Sequence, residues 1–275
     1  MTVPQDNDDT LSPSERADAR RRSAPGVAVV YEAIRREAES ELRRPNQALF
    51  WSGLAAGLSM GFSFLAEALL HANLPSASWQ PLLSKFGYSV GFLIVILGRQ
   101  QLFTENTLTP VLQLLQEKSR GTLVNTTRLW GVVLGANLVG TLIFALVLAT
   151  TSVIRPETLS AFDFIATHAL DGGFSNTLVR AIFAGWLIAL MVWLLPVAET
   201  SRVTVIIIIT YLVGIAGFPH IIAGSSEVFY ALFTGTASPA TALTDFFLPT
   251  LLGNTIGGVA MVAAINYAQV YASGD

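Results

Sequence analysis

The chain has 275 residues, 52% of them hydrophobic and 13% charged, with a formal net charge of −3 and no cysteine. A soluble domain spends about a quarter of its residues on charge, so half that share at a mean hydropathy of +0.55 points to lipid as the solvent and disfavours a soluble enzyme. The missing cysteines exclude disulfide scaffolds, thiolate metal sites and cysteine nucleophiles, and the small negative charge supplies no basic field for nucleic acid.

Residues 1–45 read as a cytoplasmic tail, with Asp6, Asp8, Asp9, Glu15 and the run Arg20-Arg21-Arg22 and no apolar stretch long enough for a signal peptide. Within it Val27, Val30, Tyr31, Ile34 and Ala38 recur at helical spacing, while Glu32 with Arg36 and Glu39 with Arg43 stand four apart in the favourable order. This pattern predicts a helix over 26–44 lying at the membrane interface, with a solvated helix or a tail lacking fixed structure as the alternative.

After Pro45 the composition becomes apolar, and six segments follow, each long enough to cross about 30 Å of hydrocarbon at 1.5 Å per residue. They run over 47–71, 83–117 with an interruption, 122–153, 174–198, 202–235 with an interruption, and 247–272, so that 46–273 forms one all-α membrane domain. With the N-terminus in the cytoplasm, 12 of the 16 basic residues lie inside against Lys85 and Arg155 outside, which places both termini in the cytoplasm. Arg99 and Arg180 fall within the predicted spans, where each costs about 2.5–3.5 kcal/mol and needs a partner. Glu105 is the candidate for Arg99 and Glu67 for Arg180. Gly53, Gly57 and Gly61 form GxxxG steps suited to close helix packing, and Trp51, Trp79 and Trp130 read as interfacial anchors.

The chain repeats itself. Asn137-Leu-Val-Gly140 in the third span returns as Asn254-Thr-Ile-Gly257 in the sixth, 117 residues later. The same shift lays the interruption Gly98–Thr107 on the interruption Gly214–Gly224 and Phe103 on His220. Two repeats, about 46–153 and 170–272, then hold three crossings each; because three is odd, the second copy enters from the opposite side, a 3+3 inverted repeat with broken second and fifth helices. Backbone that leaves a helix at membrane depth exposes unpaired N–H and C=O groups, tolerated only where protein or a watery cavity receives them. The breaks are therefore expected to line a path. Arg99, Gln101, Thr104, Glu105 and Asn106 crowd the first, and Gly217-Phe218-Pro219-His220 the second.

Leu102-Phe103-Thr104 after a Gly-ended apolar helix, the two Asn-x-x-Gly motifs and Gly217-Phe-Pro-His220 together resemble the formate/nitrite transporter family, over roughly residues 40 to 272, with the Gln-Leu-Phe-Thr-Glu-Asn-Thr string closer to its YfdC-like branch. The resemblance implies an aquaporin-like six-helix protomer, a homopentamer with one anion pore per protomer, and residence in a bacterial cytoplasmic membrane. Members pass small monovalent anions such as formate, nitrite, hydrosulfide, acetate or lactate, in several cases with a proton. By position, 101–106 matches the family's omega loop and the second break its S-loop; His220 falls on the central histidine and Thr104 on the threonine facing it. Phe103, Phe92, Tyr88, Ile188 and Val213 fall where hydrophobic constrictions are expected, and Arg180 and Glu67 near the vestibule.

This sequence also departs from the pattern. Gly185 stands where the formate channels carry an asparagine, no lysine occurs between His168 and Asn176, and Arg99 follows Gly98 where a small or polar residue is usual. A non-conducting membrane scaffold or sensor is the competing reading. No HExxH, P-loop or GxSxG occurs, His71, His168 and His220 lack ligand spacing, and no Asn-Pro-Ala marks an aquaporin, so no enzyme, metal, cofactor or nucleic-acid partner is expected.

Overall fold

The computed structural model describes residues 25–272 together with residues 12, 14 and 15. The rest of the predicted cytoplasmic tail, including Asp6, Asp8, Asp9 and Arg20–Arg22, lies outside the described residues.

The described chain is helical, in the order α1 Val27–Leu42, α2 Asn46–Asn73, α3 Gln80–Leu97, α4 Thr109–Glu117, α5 Arg120–Thr150, α6 Leu159–His168, α7 Gly173–Val197, α8 Arg202–Ile215, α9 Ile221–Thr234 and α10 Pro239–Val270. Five of these, α2, α3, α5, α7 and α10, are long and apolar enough to cross a membrane. The predicted fifth span is instead two helices of 14 residues each, α8 and α9. The predicted second span divides into α3 and α4 around the irregular stretch 98–108.

Three boundaries differ from expectation. Gly224, the expected end of the second interruption, belongs with Ser225 and Ser226 to the first turns of α9; there the missing side chain of Gly224 admits the ring of Phe246, which a Cβ would meet at 2.6 Å. The break itself is only 216–220. α10 begins at Pro239 rather than near 247 and carries π-helical turns at Ala242–Phe247 and Gly257–Ala264. The ten-residue α6, too short to read as a span, buries Ala161, Phe162, Ile165 and Ala166 beside Phe64 and Tyr230.

Small residues set the two closest helix crossings. Gly57 of α2 lies against the Asn137 carbonyl and Gly140 of α5, and a Cβ on Gly140 would come within 2.6 Å of the Leu54 carbonyl. Gly185 of α7 lies against the Asn254 carbonyl of α10, and a Cβ on Gly257 would come within 2.6 Å of the Trp186 amide. The same backbone-on-backbone contact, each with an asparagine beside it, is thus built twice. The Gly185 contact gives the physical reason why no asparagine stands at that position: no side chain fits there.

α1 forms with the predicted face inward, Val30, Tyr31, Ile34, Ala38 and Leu42 being buried. The face packs on Leu108, Val111 and Leu112 around α4 and on Val262 of α10, so protein, not a headgroup layer, receives it. The predicted ion pairs form at 2.7 Å for Glu32–Arg36 and 2.5 Å for Glu39–Arg43. Trp130 is not an interfacial anchor: its Nε1–H donates to the Asn106 carbonyl at 2.8 Å and its ring packs on Phe103, whereas Trp51 and Trp79 are exposed.

Gly57→Ala and Gly185→Ala should each lower stability by about 1–3 kcal/mol through backbone displacement. Gly135→Ala, with nothing within 4 Å of its Cβ, should not. Thermal unfolding of the purified variants in detergent checks this.

Candidate functional site

Each break is held by one asparagine. In the first, Gly98 ends α3 and Arg99 adopts a left-handed φ of 51°, turning the chain out of the helix. Asn137 Oδ1 accepts from the Phe103 N–H at 2.9 Å, while its Nδ2 donates to the Gln101 carbonyl at 2.9 Å and the Gly53 carbonyl at 2.7 Å. In the second, Gly217 supplies a φ of 60°, Asn254 Oδ1 accepts from the Ile221 N–H at 2.8 Å, and its Nδ2 donates to the Pro219 carbonyl at 3.0 Å and the Ala181 carbonyl at 2.8 Å. Both asparagines are wholly buried. One side-chain amide in each half replaces partners that the unwound backbone has lost.

This pairing corrects the register. Phe103 is 34 residues before its asparagine and Ile221 33 before its own, so the counterpart of His220 is Leu102, not Phe103. The second copy is one residue shorter between break and asparagine.

Thr104 and His220 meet where the two breaks converge. Thr104 Oγ1 and His220 Nε2 are 2.7 Å apart, and both residues are buried. His220 also caps α9, its Nδ1 accepting from the Ala223 N–H at 3.1 Å. Because Nδ1 accepts, the hydrogen-bond network assigns the ring proton to Nε2, which donates to Thr104 Oγ1. The Thr104 hydroxyl proton is then left for another acceptor. Around the pair the apolar walls are closed: Phe92 stands edge-on to His220 with centroids 5.0 Å apart, Tyr88 lies 5.4 Å from Phe92, and Phe103, Ile188 and Val213 belong to the same buried cluster.

A cavity of about 580 Å³ ends on His220 and is lined by Glu67, Lys85, Tyr88, Arg180, Val213 and Glu227, among others. A second, of about 870 Å³, is lined by Glu37, Glu41, Arg99, Gln101, Glu105 and Asn106, among others. His220 lines the first, and Gln101 and Asn106, on either side of Thr104 in the chain, line the second.

Neither arginine takes its expected partner. Glu67 pairs with Lys85, and Arg180 donates to the Gly217 carbonyl at 2.5 Å, placing a cation beside the carbonyl end of α8. Arg99 is exposed and pairs with Glu37 of α1 at 2.8 Å. Glu105 is half-buried, its Oε1 atom buried and unpartnered among the described residues. Gln101 joins α1 to the break: its Nε2 donates to Glu41 at 2.5 Å and its Oε1 accepts from Asn106 at 3.0 Å.

Sequence reasoning missed Glu227 and the partnership of Lys85. The signal for Glu227 was present, since an acid in the apolar run 221–234 is costly without a purpose. Lys85 looked like a loop charge. It and Arg180 put cations in the first cavity, where no lysine was found between 168 and 176.

The family model described as formate/nitrite transporter matches residues 28–268. The chain belongs to the formate/nitrite transporter family. It is a membrane transport protein of that family, and 42% identical to the inner membrane protein YfdC of Escherichia coli strain K12, over 88% of this chain and 78% of that protein. A solved pentameric formate channel with formate bound superposes with a TM-score of 0.71 at 21% identity, covering 82% of this chain and 97% of that one. A solved FNT family ion channel superposes with a TM-score of 0.74 at 18% identity, over 88% and 98%. The two superpositions show that the fold is shared.

Asn254→Leu should orphan the Ile221 N–H and the Pro219 carbonyl, at about 1–3 kcal/mol for each buried group, the Ala181 carbonyl keeping its partner within α7, and remove most folded protein; recovery from size-exclusion chromatography checks it. A second prediction concerns Glu41, outside the spans. Burial, together with nearby Glu37, holds its carboxyl above the usual range against the pull of the Gln101 hydrogen bond. A raised acid stabilises the fold below its unfolded value and loses that contribution as pH rises through the folded value. Exchange of α1 amides, corrected for intrinsic rates, should therefore accelerate with rising pH. Glu41→Gln, which keeps the acceptor for Gln101, should abolish that acceleration.

Proposed function

We propose that the chain passes small monovalent weak-acid anions, formate or nitrite among them, across a bacterial cytoplasmic membrane, and that they cross the Thr104–His220 gate as the neutral acid. The observation that carries the reading is the hydrogen bond between Thr104 and His220, formed by the two broken segments at the floor of a cavity and enclosed by apolar side chains. A bare anion entering that enclosure would lose its hydration with no cation beside it, a loss of several kcal/mol or more. Protonation removes the loss. The neutral acid then needs only a donor for its carbonyl-type oxygen, and the free Thr104 hydroxyl proton supplies one.

In this reading Phe92, Tyr88, Phe103, Ile188 and Val213 exclude water, and Lys85 and Arg180 draw the anion into the first cavity. Gln101, Asn106, Glu105 and Arg99 border the cavity on the other side. The protomer is a six-span, 3+3 inverted repeat in which α3–α4 and α8–α9 are the broken helices, supported by the duplicated asparagine clamps; both termini are cytoplasmic. Assembly as a homopentamer is supported by the likeness to a pentameric formate channel.

Stopped-flow flux in proteoliposomes tests the function. The wild type should pass formate, nitrite and acetate faster at acid than at alkaline pH. Thr104→Val should slow flux about tenfold, the equivalent of about 1.4 kcal/mol in barrier, and Thr104→Ser should restore it. Unchanged flux in both Thr104→Val and His220→Asn would remove the gate from this pair, and a wild type inert to the whole panel would favour the scaffold reading.

A further inference from the structure

Seven residues past His220, α9 carries a carboxyl group that the gate does not use. Glu227 is 9% exposed and lines the first cavity together with His220 and Gly224. Positions 220, 224 and 227 share a helix face, so at 1.5 Å per residue the carboxyl stands about 10 Å along the axis from the imidazole. Gly224 places no side chain between them. Among the described residues Glu227 takes part in no hydrogen bond or ion pair, and the charges acting on it are those of Glu67 and Lys85. The other ionisable groups facing this space are His71 from α2, Tyr88 from α3, His168 from α6, Asp171 beyond it, Arg180 from α7 and His220 itself. α5 and α10, which also pack on α9, bring none into the cavity.

Two acids here share one ammonium. Lys85 is bonded to Glu67, whose second oxygen is buried without a hydrogen-bond partner among the described residues. With both acids ionised, Glu67, Glu227 and Lys85 would together carry one net negative charge, since Arg180, the other cation of the cavity, is engaged by the Gly217 carbonyl; that is costly at this burial and repels an arriving anion. One proton on Glu227 removes both penalties.

We infer that Glu227 is the proton donor of the first cavity, its carboxylic acid neutralising the incoming weak-acid anion before that anion reaches Thr104 and His220. The inference rests on the transport reading above. In the step the O–H bond of Glu227 breaks and an O–H bond forms on an oxygen of the anion, leaving Glu227 ionised and the substrate neutral. Hydronium from water in the open cavity then returns a proton to Glu227. The imidazole is not the source, because its Nδ1 already accepts from Ala223 and its Nε2–H is committed to Thr104.

Flux of formate and of acetate through the full chain in proteoliposomes, compared at two pH values, is the test. At about pH 5 the medium supplies far more neutral acid than at about pH 8, so the donor matters less there. Glu227→Gln should lower flux about tenfold at about pH 8, less than the roughly 100-fold or more of a positioned general acid because water still supplies some neutral acid, and stay within about twofold of wild type at about pH 5. Equal flux in variant and wild type at both values overturns the inference, as does an equal loss at both, which marks a structural role. A wild type that passes neither anion above protein-free liposomes overturns the transport reading as well; a conducting wild type with an unaltered Glu227→Gln profile sinks the donor alone. If Glu227→Gln does not assemble, Glu67→Gln asks the same question. The freed Lys85 then pairs with Glu227 and keeps it ionised, so the same alkaline loss is expected, and an unchanged ratio between the two pH values overturns the inference.

Discussion

The structure depends on how a backbone that stops being helical inside a membrane pays for its exposed amides. Asn137 and Asn254 answer this in the same way, each with one accepted and two donated hydrogen bonds, and each reaching both a break and a neighbouring helix. The carbonyls of Gly53 and Ala181 complete the two clamps. Such reach requires backbones in contact, which Gly57 with Gly140 and Gly185 with Gly257 provide. Glycine positions, asparagine positions and breaks are therefore one constraint seen three ways: lengthen any glycine and the amide no longer reaches its loop.

Held in this way, the breaks bring a hydroxyl and an imidazole from distant parts of the chain into one apolar enclosure. Helix capping fixes the imidazole: with Nδ1 engaged by the first turn of α9, the ring presents N–H and not a lone pair to Thr104. The enclosure is apolar, with Phe92, Ile188 and Val213 fully buried in the surrounding cluster. Charge is kept away from the Thr104–His220 contact. Lys85, Glu67, Arg180 and Glu227 stand in one cavity, and Arg99, Glu37 and Glu41 in the other. α1 belongs to this arrangement, since Glu37 and Glu41 bind the residues on either side of Gln100.

Much of this was legible in the sequence for identifiable reasons. Long apolar runs, the duplicated Asn-x-x-Gly and the polar string from Arg99 to Thr107 follow from local composition, and each corresponds to an observed element. Where the reading failed, the missing information was three-dimensional. Similar depth suggested Arg180 for Glu67, but Lys85 reaches that carboxylate from α3, and depth along a span does not say which side chains face one another. Arg99 was assigned to its near neighbour Glu105, yet a left-handed residue at a helix end turns its side chain away, toward a helix 62 residues earlier. Why Gly185 carries no side chain was likewise hidden, because a sequence does not display the backbone pressed against it.

By itself, then, the sequence determined the solvent, the helical class, the doubling of the chain and the positions of its two interruptions, because hydrophobic length and small-residue spacing act over a few turns of one helix. Tertiary structure alone decided the one-residue shift that sets Leu102 opposite His220 in the repeat, the ion-pair partners and the placing of Glu227 on the cavity wall. These depend on which helix faces come together, and that is set by the sum of weak contacts over the whole packed bundle, which no local pattern encodes.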